Sequence, residues 1–313
     1  MTKKAERTAL VTGVTGFVGA HLAAALLDKK FKVVGIHSDD RPVTTLSLLG
    51  LKDGVTLVRG DACDEELVRK VLAKYGVQDV YHLATQAIVS VALKDPITTF
   101  RASCMGTASV LKAALDVGVR AVLCTSSDKV YGEGLDRNEN SPLEAKGIYE
   151  ASKACMDYIA RSFFHAYDLP IVVSRACNIY GEHDLNRRVI PNTIRSLKAG
   201  ERPVIFRNEP SLREYIYVRD VCDAYMLLVE NIEQSKGEVF NVGTGKVIGQ
   251  EELVKLLVRV CGLSIKPVYV HKPASLFEIY QQSVSSDKIR RALGWTHQFN
   301  LNDGLTRTWS EWK

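Results

Sequence analysis

The sequence predicts an α/β chain, a doubly wound parallel sheet with a smaller C-terminal lobe interleaved with it. Three observations predict this. Short β-branched apolar runs alternate with longer amphipathic segments as far as Arg175, which is the pattern of βαβ units around a parallel sheet. A glycine triplet stands between the first apolar run and the first amphipathic segment. Beyond Arg175 the prolines Pro191, Pro203, Pro210, Pro267 and Pro273 cut the chain into shorter elements joined by polar loops.

In chain order, the apolar runs predict strands over Thr8–Thr12, Lys32–His37, Thr56–Arg59, Asp79–Leu83, Ala121–Ser126 and Ile171–Arg175. Helices over Val18–Asp28, Asp64–Tyr75, Pro96–Val117 and Tyr149–Tyr167 fill the gaps, each long enough for a right-handed crossover. Tyr217–Val229 reads as a strand end followed by an apolar helix, and Val239–Val242 as a further strand. The chain is therefore expected to hold a sheet domain over 1–175, joined again by 214–245, and a smaller lobe over 176–313. Neither low-complexity sequence nor a repeat interrupts it.

Composition narrows the function classes. A chain of 313 residues, 46% hydrophobic and 25% charged, can form one large core plus a lobe. The net charge of +5 is spread without a basic run, so nucleic acid is not an expected partner and an anionic small ligand fits. The charged start from Met1 to Arg7 lacks the apolar stretch of a secretory signal. Nowhere do about 18 apolar residues run together, so no membrane span is expected and the cytoplasm is the default location. The 7 cysteines are scattered and never paired as CxxC, which reads as packed thiols and no metal site.

Gly13, Gly16 and Gly19, with Phe17 and Val18 between them, lie where the first strand turns into the first helix. There the backbone must turn tightly and let a pyrophosphate reach the helix N-terminus, the arrangement of a Rossmann-type dinucleotide site. The spacing is GxxGxxG rather than GxGxxG. An acid usually holds the adenosine ribose roughly 20 residues on; here His37 and Ser38 end the second strand, followed by Asp39, Asp40 and Arg41. Either aspartate suits NAD, the expected cofactor, while Arg41 leaves NADP possible. Asp61 and Ala62 after the third strand can meet the adenine, and Leu83, Ala84 and Thr85 after the fourth can pass under the ribose; both are equally ordinary strand-end turns.

Tyr149 and Lys153 stand four residues apart on one helix face. A lysine beside a tyrosine favours the phenolate, so that the tyrosine takes a proton from an alcohol as hydride leaves its carbon. Alone, such a pair is mostly a solvated helix face. Thr125, Ser126 and Ser127, at the end of a strand in the same sheet, offer a hydroxyl to hold the same alcohol.

The glycine triplet, the strand-end serine and the YxxxK helix together resemble the extended short-chain dehydrogenase/reductase family. Asn241-Val242-Gly243, Val218-Arg219-Asp220-Val221 and Leu293-Gly294-Trp295 resemble family landmarks in the same order. The resemblance implies that Ser127 holds the substrate hydroxyl, Tyr149 is the acid/base, and Lys153 lowers the tyrosine pKa and binds the nicotinamide ribose; Thr125 and Ala176 fall among the cofactor contacts. Within the family, Ser127-Asp128-Lys129 resembles the Thr-Asp-Glu or Thr-Asp-Lys segment of nucleotide-sugar 4,6-dehydratases of the CDP-glucose or GDP-mannose kind. Asp128 would then be the acid and Lys129 the base of an elimination across carbons 5 and 6; a plain surface ion pair is the alternative. The resemblance also places Asn178 on the substrate diphosphate and Arg188, Val189, Arg207 and Arg213 around the nucleotide, guanidinium groups being suited to phosphate. Near the tail Leu276-Phe277-Glu278-Ile279-Tyr280 stands where many relatives place another arginine.

The expected function is thus a nucleotide-sugar 4,6-dehydratase. A 4-epimerase, a 4-keto-sugar reductase and a 5,6-dehydratase stay open, as does a non-catalytic dinucleotide-binding regulator. A homodimer through the helices Pro96–Val117 and Tyr149–Tyr167 is implied by the same resemblance.

Overall fold

A computed structural model describes residues 7–38, 40–207, 211–271 and 279–312. Seven strands form the main sheet: β1 (Thr8–Thr12), β2 (Lys32–His37), β3 (Val55–Arg59), β4 (Asp79–His82), β5 (Ala121–Thr125), β6 (Ile171–Ala176) and β7 (Val239–Val242). Their order across the sheet is β7-β6-β5-β4-β1-β2-β3, and every pairing is parallel. The expected strands fall within a residue of these bounds.

β1 and β5 are buried at every position, as strands covered by helices on both faces must be, which is why they read as apolar runs. Alternation of side chains divides the core between the two faces. Ala9 and Val11 join the cluster on one face, while Leu10 joins the cluster on the other. The order reverses between β1 and β4, and ligands of such sheets bind at this switch point, outside the carboxyl ends of the strands.

The helix Phe17–Asp28 follows β1, and Ile148–Tyr167 precedes β6. The helix predicted over Pro96–Val117 is observed as Pro96–Phe100, a π-helical turn at Arg101–Met105 and Gly106–Val117, preceded by a short helix Val89–Lys94 that the sequence reading did not anticipate.

A second, five-stranded sheet builds the lobe. Leu212–Tyr217 is its hub, pairing with Asn178–Tyr180, Val247–Gly249 and Gln281–Val284, and the last of these pairs with Gly134–Arg137. One expectation changes here. The strand before the helix Val218–Glu230 belongs to the lobe, so of 214–245 that helix, the short helix Ile232–Ser235 and β7 return to the main sheet. The lobe strand Gly134–Arg137 falls where no element was expected, and its partner lies far along the chain. Both depend on long-range pairing, which local periodicity does not report.

Candidate active site

A cleft of about 910 Å³ opens at the carboxyl end of the main sheet. Gly13, Gly16, Phe17, Val18, Gly19, His37, Ser38, Arg41, Asp61, Ala62, Leu83, Ala84 and Thr85 line it on the β1–β3 side. Thr125, Ser127, Lys129, Tyr149, Lys153, Ala176, Asn178 and Arg188 line it on the other.

The glycine turn fits a dinucleotide for steric reasons. Gly13 has φ of +71°, and a Cβ there would sit 3.1 Å from the Ala84 nitrogen. A Cβ on Gly19 would meet the Gly13 carbonyl oxygen at 2.3 Å, and one on Gly16 would meet it at 3.1 Å. Only glycines let helix and strand approach this closely. Gly16 caps the helix without a side-chain hydrogen bond, so the first amides face the cleft unscreened by a capping group. These residues would hold the pyrophosphate.

Beneath the turn a buried network fixes the next loop. Thr12 Oγ1 accepts from the amides of Leu83 and Ala84, both at 3.1 Å, and lies 2.9 Å from His82 Nδ1. An oxygen accepting twice gives its own proton to the histidine, so Nδ1 accepts and Nε2 donates to Thr107 Oγ1 at 3.1 Å. Burial lowers the His82 pKa to about 3, which keeps the ring in this neutral form.

At the end of β2, Asp40 is drawn to Arg59 at 2.6 Å, away from a ribose-binding role. Asp39 lies outside the described residues. Asp61 accepts from the Cys63 amide at 2.9 Å and lies 3.7 Å from Arg101, which orients it at the cleft rim.

On the opposite side β5 ends at Thr125, and Ser127 caps a 3₁₀ turn, Asp128–Tyr131, its Oγ accepting from the Lys129 amide at 3.3 Å. Leaving the strand here frees adjacent residues from alternating between its faces. Ser127 donates to Asp128 Oδ1 at 2.9 Å and also hydrogen-bonds the Tyr149 phenol. Lys153 donates to Thr85 Oγ1 at 2.7 Å and to the Thr125 carbonyl at 2.8 Å, joining the cofactor loop to the helix Ile148–Tyr167.

The electrostatics depart from expectation. Burial pushes Tyr149 up to about 12 and Lys153 down to about 7. The expected depression of the phenol pKa requires a nearby cation, whereas the lysine ammonium turns to Thr85 and Thr125 and burial dominates.

Lys129 Nζ donates to Asn178 Oδ1 at 3.0 Å and to Gln282 Oε1 at 3.4 Å, and stands 3.5 Å from Asp128 Oδ1. Asp128 is fully buried, and its Oδ2 has no hydrogen-bond partner among the described residues. The plain surface ion pair is thereby ruled out.

Of the expected substrate contacts, Asn178 faces Lys129, and Arg188 lines the cleft while paired with Asp184 at 2.6 Å. Val189 opens the helix Val189–Lys198, and Arg213 donates to the Leu212 carbonyl at 3.3 Å; neither is among the described residues of the cleft wall. The Arg207 side chain and Leu276, Phe277 and Glu278 lie outside the described residues. Sequence reasoning missed Gln282 and Glu214. Burial raises the Glu214 pKa to about 7, although its carboxylate accepts from the amides of Thr244, Gly245 and Val284. Neither residue carries a local signal, since both reach the site through lobe pairings.

The model of the NAD dependent epimerase/dehydratase family matches residues 9–243. The chain belongs to this family. The likeness drawn from the glycine triplet and the YxxxK helix is borne out. A dTDP-glucose 4,6-dehydratase of Streptomyces griseus is 32% identical over 96% of this chain and 92% of its own length. The low-salt glycan biosynthesis protein Agl12 of Haloferax volcanii is 31% identical over 95% of both. Among solved structures, the UDP-glucose 4-epimerase of Thermotoga maritima superposes with a TM-score of 0.89 at 26% identity, covering 97% of this chain and 98% of the other. A dTDP-glucose 4,6-dehydratase of Streptomyces venezuelae with NAD bound gives 0.88 at 28% identity, covering 97% and 96%. Among the described residues no helix of this family member is long and apolar enough to cross a membrane, and no group of three or more His, Cys, Asp or Glu residues could hold a metal ion.

Proposed function

We propose that this enzyme is a nucleotide-sugar 4,6-dehydratase using NAD. The observation that carries the reading is Asp128 and Lys129 standing together beside Ser127 and Tyr149, with Lys129 on the cleft wall. A 4-epimerase needs only Ser127, Tyr149 and Lys153, and a buried acid beside an ordered lysine is superfluous to it. The relatives named dTDP-glucose 4,6-dehydratase support the reading, as does NAD bound in a related dehydratase structure.

Gly13, Gly16 and Gly19 would hold the pyrophosphate of NAD, and the bound cofactor would supply reversible hydride transfer, out of carbon 4 of the sugar and back at carbon 6. Bound NAD would bring the positive charge of its nicotinamide ring into this cleft and so favour the Tyr149 phenolate against the effect of burial, and Tyr149 would then take the proton of the 4-hydroxyl, which Ser127 holds in line. The resulting ketone acidifies the hydrogen at carbon 5; Lys129 takes that proton while Asp128 gives one to the departing 6-oxygen, which leaves as water, and as carbon 6 is reduced Lys129 returns a proton to carbon 5. Lys153 orients the nicotinamide ribose, Asn178 borders the reacting sugar, and Arg188 meets the diphosphate.

Two copies associate through Pro96–Val117 and Ile148–Tyr167 in this proposal; Ile97, Met105 and Tyr158 are exposed there, at 78%, 58% and 58%. Turnover of a panel of nucleotide sugars in heavy water tests the reaction. The expected product has lost water and carries deuterium at carbon 5. A product that keeps the oxygen at carbon 6 and gains no deuterium overturns the dehydratase and leaves the 4-epimerase, the reaction named for one structural neighbour.

A further inference from the structure

Lys129 is held from the lobe by two side-chain amides whose orientation is not free. Asn178 Nδ2 donates to the Glu214 carbonyl at 2.8 Å, so its Oδ1 must face Lys129 at 3.0 Å. Gln282 Nε2 donates to the Gly132 carbonyl at 3.4 Å, so its Oε1 must face Lys129 at 3.4 Å. Flipping either amide would set an NH₂ group against the lysine nitrogen and a carbonyl against a carbonyl.

Three acceptors therefore converge on one nitrogen: Asn178 Oδ1, Gln282 Oε1 and Asp128 Oδ1. An ammonium has three protons to offer, whereas a neutral amine has two and a lone pair that one of these oxygens would oppose. Gln282 is almost wholly buried, at 1% exposure, on the lobe strand Gln281–Val284. We infer that Gln282, with Asn178, is a positioning residue that fixes Lys129 Nζ on the cleft wall and sets the protonation of that lysine, hence the pH range in which elimination runs. The part concerning elimination rests on the dehydratase reading; the clamp itself does not.

The other titratable groups facing the lysine are the carboxylate of Asp128 on its own turn and Cys177, between two strands; Tyr149 from the helix Ile148–Tyr167 and Glu214 from the lobe strand face the Asp128 carboxylate. None of these changes when Gln282 is replaced. Gln282→Met keeps the side-chain length and removes the acceptor, so the ammonium loses a partner and gives up its proton more readily. Gln282→Glu adds a negative charge at the same place and must act in the opposite direction. A hydrogen bond to a charged group corresponds to about one pH unit. A residue that merely filled space would not produce shifts of opposite sign.

The test is titration of the lysine side chains by NMR in protein labelled with ¹³C-lysine, the Lys129 signal being identified by its loss in Lys129→Met. We expect the Lys129 midpoint to fall by about one pH unit in Gln282→Met and to rise by about one in Gln282→Glu. Unchanged midpoints in both variants, or shifts of the same sign, overturn the clamp. The pH profile of water loss from the nucleotide-sugar panel is measured on the same proteins, and its Lys129-dependent limb should move with the midpoints. Shifted midpoints in a protein that eliminates no water would leave the clamp standing and remove the dehydratase reading.

Discussion

Replacing Lys153 with methionine should change how stability depends on pH, whichever reaction the enzyme performs. Burial lowers this lysine from 10.5 to about 7 in the folded chain, while in the unfolded chain it keeps its ordinary value. Between those two values the unfolded state binds the extra proton, so wild-type stability rises with pH across this window. The cost of burying the ammonium is complete below pH 7 and vanishes above 10.5. Integrating over part of that window gives a wild-type gain of about 2 kcal/mol between pH 7 and pH 9 from this one group. Lys153→Met removes the titration but strips the Thr125 carbonyl of its 2.8 Å donor, a constant loss of about 1–3 kcal/mol. The stability of the variant relative to wild type should therefore be about 2 kcal/mol more favourable at pH 7 than at pH 9. Urea unfolding of both proteins at the two pH values, without added ligand, measures that difference, and other titrating groups cancel in it. A difference that does not change with pH would refute the buried, weakly basic lysine, and with it the picture of Lys153 turned to Thr85 and Thr125.

Tyr149→Phe should abolish turnover while leaving NAD affinity, read by fluorescence titration, within about twofold, because only the proton-carrying oxygen is removed. Gly19→Ala places a Cβ 2.3 Å from the Gly13 carbonyl. Relief of that overlap should cost about 1–3 kcal/mol and weaken NAD binding about tenfold or more, and unchanged affinity would reject the close strand–helix approach. Asp157→Asn breaks a buried pair in which Arg175 donates to both carboxylate oxygens, at 2.8 and 3.0 Å. The stranded guanidinium should lower stability by about 3–5 kcal/mol in chemical unfolding.

The main sheet, the glycine turn and the helix carrying Tyr149 and Lys153 are legible in the order of residues alone. Each is written locally: a strand buried on both faces as a continuous apolar run, the tight turn as Gly13, Gly16 and Gly19, and the four-residue spacing as one helix face. The tertiary structure decided the rest. It assigned Gly134–Arg137 and Leu212–Tyr217 to the lobe, because strand partners are chosen by contacts between distant segments. It brought Gln282 to Lys129 across 153 positions of sequence, and it turned Asp40 toward Arg59. Burial in the folded chain also raises Tyr149, against the direction expected for it, and lowers Lys153. Residue order names which groups are neighbours on a helix, but the cost of burying a charge depends on everything packed around it, and only the folded chain fixes that.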